Sequence, residues 1–547
     1  MKTGIVLGVA GLAGMTVVLG QLNADVRDDA PSFKVTQAGG ETAEAGGTVG
    51  PDVIVGALTG PRYWTQDSTE VAYSIGTTSC NLGDMDLEWL DGGGDNRHPV
   101  IGQNMFRING DGRLIQIGQS WLKHGFCALQ GTLCGSCDPA CGGCCDYLGP
   151  GCSDPYSASR NGGQSGLGPK WEVNPHTGEF PIPWDQGEGT SGEFRRRLRV
   201  KVVDLDTSLD PTAQFLMEGQ YVTQDDAFYG NQNNNASYIR VGVNQTGTYS
   251  ATFIGGTEQM KPAVVGWSEL VDGVAVTEAQ VENDGLYMVG HRAYATGEGD
   301  YMYEYAVYNM NSDRGAGSFE VPVPAGVDVT DIGFHDVDYH SGEAWDSTDW
   351  TSERAANSVI WSNGTDYETQ PEANAIRWGT VYTMWFRSPA EPADVDATIH
   401  LFKPSGSDPA SITASVVGPL SSCTPTSGDT NDDGSVDVED LLNVLADWGC
   451  IGAPGDCLGD TNCDGSADVV DLLDVLKRLD INELFQHLEH GANEGVLRLD
   501  GLDGVFVLLQ LVGEILVRTG ELALGLVLLV LGVFIVLPGT RNDTASG

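Results

Sequence analysis

The chain has 547 residues and carries 76 Asp+Glu against 28 Lys+Arg, a formal net charge of −48. A field of that sign repels phosphate backbones and anionic lipid surfaces, which excludes nucleic acid as a partner, and it makes hard cations, calcium first, the natural counter-charge. The 74 glycines, with 12 Trp, 17 Tyr and 15 Phe, describe a turn-rich protein with large cores, neither wholly helical nor disordered.

Met1-Lys2 and the apolar run from Ile5 to Gly20 read as an export signal over residues 1–24, with small residues near Gly20 or Ala24 for cleavage. An uncleaved N-terminal anchor is the alternative. Residues 25–51 are small and polar and read as a linker. Export places the protein outside the cell or on its surface, where the 12 cysteines can form disulfides. Eight lie between Cys80 and Cys152 and four between Cys423 and Cys463. The run Cys134, Cys137, Cys141, Cys144, Cys145, Cys152 contains paired C-x2-C units, so zinc is the competing reading. Its half-sites are too close to wrap an ion, and the spacing misses the common iron–sulfur patterns. Disulfides are the expectation, with their connectivity open.

From residue 52 to about 403 the pattern is β. Met105–Asn109 and Arg113–Ile117 flank Gly110-Asp111-Gly112, a hairpin signal. Leu198, Val200 and Val202 alternate with Arg197, Arg199 and Lys201. Tyr249, Ala251 and Phe253 alternate, as do Tyr301–Asn309 and Val381–Arg387. No long 3.6-residue period interrupts these runs, so the fold class is mainly β, with antiparallel sandwich or jelly-roll-like regions. The expected division is a Cys-rich β unit over 52–195, a β-sandwich over 196–403, and a Pro/Ser/Thr-rich linker over 404–427.

Two candidate clusters lie in the β region. His335-Asp-Val-Asp-Tyr-His340 puts Asp336, Asp338 and His340 on one strand face, with Glu343 and Asp346 following. This is either a metal or acid/base site or the solvated face of a strand in an acidic protein, and the solvated face is the expectation. Tyr301, Tyr303 and Tyr305 share a face too, as a sugar platform or, by expectation, part of a core. Arg195, Arg196, Arg197, Arg199 and Lys201 could hold sulfated or uronic glycans, or pair with neighbouring acidic strands, which is the expectation. No G-x-S-x-G, H-E-x-x-H or phosphate-binding loop occurs.

An internal repeat follows. Gly428-DTNDDGSVDVEDLLNVLADWG aligns with Gly459-DTNCDGSADVVDLLDVLKRLD, 31 residues later. Asp429, Asn431, Asp433, Asp437 and Asp440 take positions 1, 3, 5, 9 and 12 of a calcium loop, and Asp460, Asn462, Asp464, Asp468 and Asp471 repeat them. Ser435 and Ser466 would ligate through their carbonyls at position 7, and Gly434 and Gly465 permit the turn at position 6. Oxygens at this spacing converge on one ion per loop, two ions in all. Each loop enters a helix whose expected apolar face is Val438, Leu441, Leu442 and Leu445, or Val469, Leu472, Leu473 and Leu476. Neither face can be buried alone, so the two helices should pack together.

These residues resemble a type I dockerin, with two loop–helix repeats, Asp at position 12 and Gly before position 1, over residues 428–480. The resemblance implies a calcium-dependent module that docks on cohesin-like proteins, usually within polysaccharide-degrading assemblies. Positions 10 and 11 carry Val438-Glu439 and Val469-Val470, where cellulosomal dockerins often carry Ser-Thr, so cohesin specificity does not follow. The upstream region resembles uncharacterised exported bacterial proteins bearing such tails.

Residues 481–547 form an apolar tail. Leu522–Leu537 is an unbroken apolar run between Glu521 and Arg541, read as a membrane-anchoring helix over 522–538 or as a buried hairpin. The expected function is an exported, non-enzymatic calcium-binding protein whose module docks or attaches a β-rich domain with a binding or structural role, carbohydrate being one ligand class. The alternative is a polysaccharide-acting O-glycosyl hydrolase carried by its dockerin.

Overall fold

The strand Val100–Ile108 is buried at every residue. Its Ile101 and Met105 enter one core and its Phe106 and Ile108 another, the two faces that a period of two residues creates. The strand Tyr301–Asn309 behaves alike: Tyr303, Tyr305 and Val307 face one core, Ala306 and Tyr308 the other. A sheet apolar on both faces must be covered on both, and these two strands lie in the middle layers of a four-sheet stack.

The computed structural model describes residues 48–478 apart from 93, 143–144, 186–191, 209, 326, 339–342, 407–408, 420–427, 432–434, 451–456, 458 and 463–465. The expected signal over 1–24, nearly all of the 25–51 linker, and the tail with its 522–538 run lie outside the described residues. Among the described residues no helix is long and apolar enough to cross a membrane.

The first sheet joins Val53–Gln66, Glu70–Asn81 and Leu198–Lys201 in that order, with Ser153–Tyr156 also paired to Glu70–Asn81. The second runs Ala251–Glu258, Ala236–Val243, Gln214–Val222, Val100–Ile108, Leu122–His124, Leu167–Gly168, with Leu114–Gln119 also on Val100–Ile108. Val53, Tyr73 and Ile75 meet Met105, Met217 and Ile239 in the core between them. The third sheet orders Ala275–Gln280, Leu286–Ala295, Tyr301–Asn309, Thr380–Ser388, Thr330–His335, and the fourth Thr351–Arg354, Ser358–Ser362, Ala316–Pro322, Pro392–Leu401, Ser411–Pro419. Tyr305, Phe386, Phe319 and Trp361 build the core between these two. All the strand pairings of these four sheets are antiparallel, so the chain is a mainly β protein of two sandwiches. The expected hairpin at Gly110–Gly112 is present, Gly112 donating its amide to the Asn109 carbonyl at φ +87°.

The second and third sheets face each other across a further core, closed by helix Ala263–Leu270 through Val264 and Trp267. Polar groups caught between these layers are paired. Glu304, with no exposed surface, accepts Arg113 at 2.8 Å and Arg292 at 2.7 Å. Glu218 accepts Asn104 Nδ2 at 2.9 Å and the Ala263 amide at 2.7 Å.

Two expected boundaries move. Residue 195 does not separate sandwiches: Leu198–Lys201 completes the first sheet, and three strands between 214 and 258 lie in the second. The second sandwich therefore begins near Ala275. The 404–427 linker contains a strand, Ser411–Pro419, paired along Pro392–Leu401. Its Ala414 and Val416 are buried among Ser and Thr that disguise the alternation. The end of the 25–51 linker is docked as well, since the Gly50 amide donates to Asp84 Oδ1 at 2.7 Å.

The cysteine knot is disulfide-bonded, which removes the zinc reading. Cys80 pairs with Cys134, Cys127 with Cys145 and Cys137 with Cys152, and Cys141 is bonded too. Cys450 pairs with Cys457 between the two repeats.

Candidate functional site

Each repeat begins with a glycine for a reason that lies in the other repeat. A Cβ on Gly428 would stand 3.1 Å from the Val475 Cα, and one on Gly459 would stand 2.7 Å from the Val444 Cα. Val444 and Val475 are themselves 31 residues apart, so the two contacts are equivalent and reciprocal. The loop of each repeat thus lies on the helix of its partner, Val438–Ala446 or Val469–Arg478. The small core between the helices is Val444, Leu472 and Val475, with Val436, Leu441 and Leu476 packed against it. Leu441, Leu472 and Leu476 lie on the expected apolar faces, whereas Leu442 and Leu445 do not. Leu442 is 57% exposed, Leu445 38% and Trp448 43%, forming an outward stripe, while Val444 takes the central place.

The loops repeat their hydrogen bonds as well. Asp440 Oδ1 accepts the Thr430 amide at 2.6 Å and its hydroxyl at 2.8 Å, and Oδ2 accepts the Asp437 amide at 2.8 Å. Asp471 does the same with Thr461, at 2.8 and 3.0 Å, and with the Asp468 amide at 2.8 Å. Asp437 and Asp468 cap their helices by accepting the amides of Glu439 and Val470, each at 2.7 Å. Position 12 therefore folds back to position 2, and position 9 starts the helix, which bends each loop into a ring.

Asp440 and Asp471 have no exposed surface. Among the described residues their hydrogen bonds come from amides and a hydroxyl, not from basic side chains, so each ring buries a carboxylate beside further acids. An isolated buried carboxylate is costly, and a carboxylate oxygen has lone pairs beyond those spent on one donor. By donor type, Asp429, Asn431, Ser435, Asp437 and Asp440, matched by Asp460, Asn462, Ser466, Asp468 and Asp471, are all oxygen donors, the kind that hard divalent cations take. Asp433 and Asp464, with Gly434 and Gly465, lie outside the described residues. Among the described residues no group of three or more His, Cys, Asp or Glu is gathered closely enough to hold a metal.

The catalytic candidates are placed at the packing between sandwiches. Asp336 accepts from Asn374 Nδ2, and burial raises its carboxyl to about 6. Asp338 forms an ion pair with Lys201, and its carbonyl accepts Gln119 Nε2 at 3.3 Å. His340 lies outside the described residues. Burial holds His335 down to about 4, hence neutral. These contacts tie the segment after Thr330–His335 to the first sandwich. Tyr303 and Tyr305 are core residues, with Tyr301 packed beside them. Of the basic run, Arg199 pairs with Glu70 at 2.9 Å and Lys201 with Asp338, whereas Arg196 and Arg197 are buried and donate to carbonyls of Leu167 and Gly162.

Several residues of consequence carry no obvious sequence signal. Thr430 and Thr461 are visible only as the shared D-T-N of both repeats. A cleft of about 670 Å³ is lined by Met85, Glu88, Tyr147, Asp225, Phe228 and Tyr229, brought together from distant segments. No protein-family model matches the chain, and the search of curated proteins finds no match.

Proposed function

We propose that this is an exported protein in which a dockerin-like pair of repeats binds two calcium ions and docks the double sandwich onto a cohesin-like or other surface protein. The observation that carries the reading is the reciprocal fit of the two repeats, glycine on valine in both directions, around two buried position-12 carboxylates. Bound calcium supplies the positive charge that those carboxylates otherwise lack. Leu442, Leu445 and Trp448, exposed along one side of the first helix, support a protein partner, since an apolar stripe on so small a module is an expected contact surface. The disulfides support an oxidising location outside the cell.

Calcium removal tests the reading. In an isolated 423–480 fragment, EDTA should abolish the helical circular dichroism and excess calcium should restore it, because a core of three buried side chains cannot offset chain entropy alone. A fragment whose helicity ignores EDTA would refute it.

A further inference from the structure

In a chain with 76 acidic and 28 basic residues, basic side chains should find acids. One row of them packs on aromatic rings. The guanidinium carbons of Arg62 and Arg197 stand 3.7 and 3.5 Å from the centre of the same indole, Trp64. Arg62 also donates to Ser159 Oγ, whose neighbour Arg160 stands 5.2 Å from the centre of Phe126. The Lys123 ammonium stands 4.6 Å from that same ring. Arg197, Trp64, Arg62, Arg160, Phe126 and Lys123 thus form a continuous line of four cations interleaved with two aromatic rings. Arg62, Arg160 and Lys123 enter none of the ion pairs found among the described residues. Arg62 and Arg160 are exposed, whereas Arg197 and Lys123 are buried beneath them.

Lys123 and Arg160, which lie together in this row, repel each other. Burial, then the charge of Arg160, lowers the Lys123 ammonium to about 8, and burial with Arg62 close by pulls Arg197 down. Among the described residues, Asp91 lies near Lys123, Glu193 near Arg197 and Asp154 near Arg160. Burial raises Asp154 to about 7, so at neutrality it offsets only about half a charge.

We propose that this row binds an acidic saccharide, its carboxylate or sulfate groups held by Arg62 and Arg160 and its rings lying along the Trp64 edge of the patch. Guanidiniums meet such anions through paired N–H donors, and cations fixed on aromatic faces are preorganised for them. A nucleic acid is disfavoured because its phosphates are dense, about one per 1.7 Å of duplex axis, and would extend from the row into a surface of opposite preference. A saccharide with one acid per ring or fewer can end where the row ends. The site is independent of the calcium repeats.

Titration calorimetry on the full chain with calcium present tests this, using trigalacturonate, a sulfated disaccharide, a neutral trisaccharide and a single-stranded oligonucleotide. At least one acidic saccharide should bind, more weakly as salt rises, and the neutral one should not. The double variant Arg62→Gln/Arg160→Gln should weaken that binding at least tenfold, and Arg62→Lys/Arg160→Lys, which keeps charge but not the paired donors, should weaken it less. Silence from both acidic saccharides, unchanged affinity in the Gln variant, or tighter binding of the oligonucleotide would each overturn the assignment.

Discussion

Replacing Asp440 with asparagine keeps its size and removes its charge, and so isolates what position 12 contributes. The native carboxylate accepts three hydrogen bonds at 2.6, 2.8 and 2.8 Å with no exposed surface. Asparagine offers one oxygen. If that oxygen faces Thr430, the amide nitrogen meets the Asp437 N–H donor to donor; if it faces Asp437, both Thr430 donors are abandoned. Losing one bond to a charged acceptor costs about 1.5–3 kcal/mol, and the surviving bonds fall to roughly half their strength once the charge is gone. The sum is about 3–5 kcal/mol, a large fraction of what so small a module can hold. Because Asp471 accepts the equivalent three bonds at 2.8, 3.0 and 2.8 Å and a fourth from the Asn462 amide at 3.2 Å, Asp471→Asn should cost at least as much. Thermal unfolding of the 423–480 fragment in saturating calcium, followed by circular dichroism, measures both, and a calcium titration should show one site lost in each variant. Thr430→Val, which removes the hydroxyl's 2.8 Å bond to Asp440 and the 2.9 Å bond it accepts from Asn443 Nδ2, should cost about 1–3 kcal/mol. An Asp440→Asn fragment that melts with the parent and still binds two ions would refute the ring geometry.

Gly459→Ala should destabilise the same fragment by about 1–3 kcal/mol, because its Cβ would stand 2.7 Å from a backbone atom, Val444 Cα, that cannot yield without moving the helix. A melting point equal to the parent's would mean that loop and helix are not in contact. Asp154→Asn should alter stability with pH. The Asp154 carboxyl is raised to about 7 chiefly by burial, and its Oδ2 has no hydrogen-bond partner. A folded pKa above the unfolded value means a stabilising contribution that is full below the unfolded pKa and is lost as pH rises through about 7. Asparagine does not titrate and still accepts the Leu129 amide, so urea unfolding should show the variant gaining on the parent between pH 4 and 8. The ceiling is about 4 kcal/mol at 1.36 kcal/mol per pKa unit. A constant difference across that range would place the cost elsewhere.

The parts of the fold that follow from neighbours in sequence were legible. The hairpin at Gly110–Gly112 is a local turn, and the alternation in Tyr301–Asn309 is a local period. Boundaries were not, because sheet membership is decided by pairings such as Leu198 with Tyr73, for which nothing near residue 198 speaks. Cysteine pairing fails for the same reason, as eight cysteines allow 105 connectivities. In the repeats, ligand spacing was legible and the buried face was not. Leu441, Leu442, Val444 and Leu445 surround most of one turn, so a 3.6-residue period admits two faces, and only the partner helix selects Leu441 and Val444. The glycine before position 1 was recognisable as a pattern, but its cause, the Cα of a valine in the other repeat, exists only in the assembled pair.

Four stacked layers also restrict where the β region can bind anything. The second and third sheets have cores on both faces, so neither can offer the open sheet face on which many sandwiches hold ligands. Binding must use loop ends or the outer faces of the first and fourth sheets. The cation row lies on such a face: Tyr73 and Ile75 point into the core, and Ser74 between them points away and accepts the Trp64 indole N–H at 2.8 Å. Residues Ala158–Asn161 close over that side, held by Ser74 Oγ on the Ala158 carbonyl at 2.6 Å and by Asn161 Nδ2 on the Ile75 carbonyl at 3.0 Å. The same short segment brings Ser159 and Arg160 to Arg62. Arg62 and Arg160 are therefore brought together by the backbone contacts of this segment, and neither enters an ion pair found among the described residues, in a chain of net charge −48.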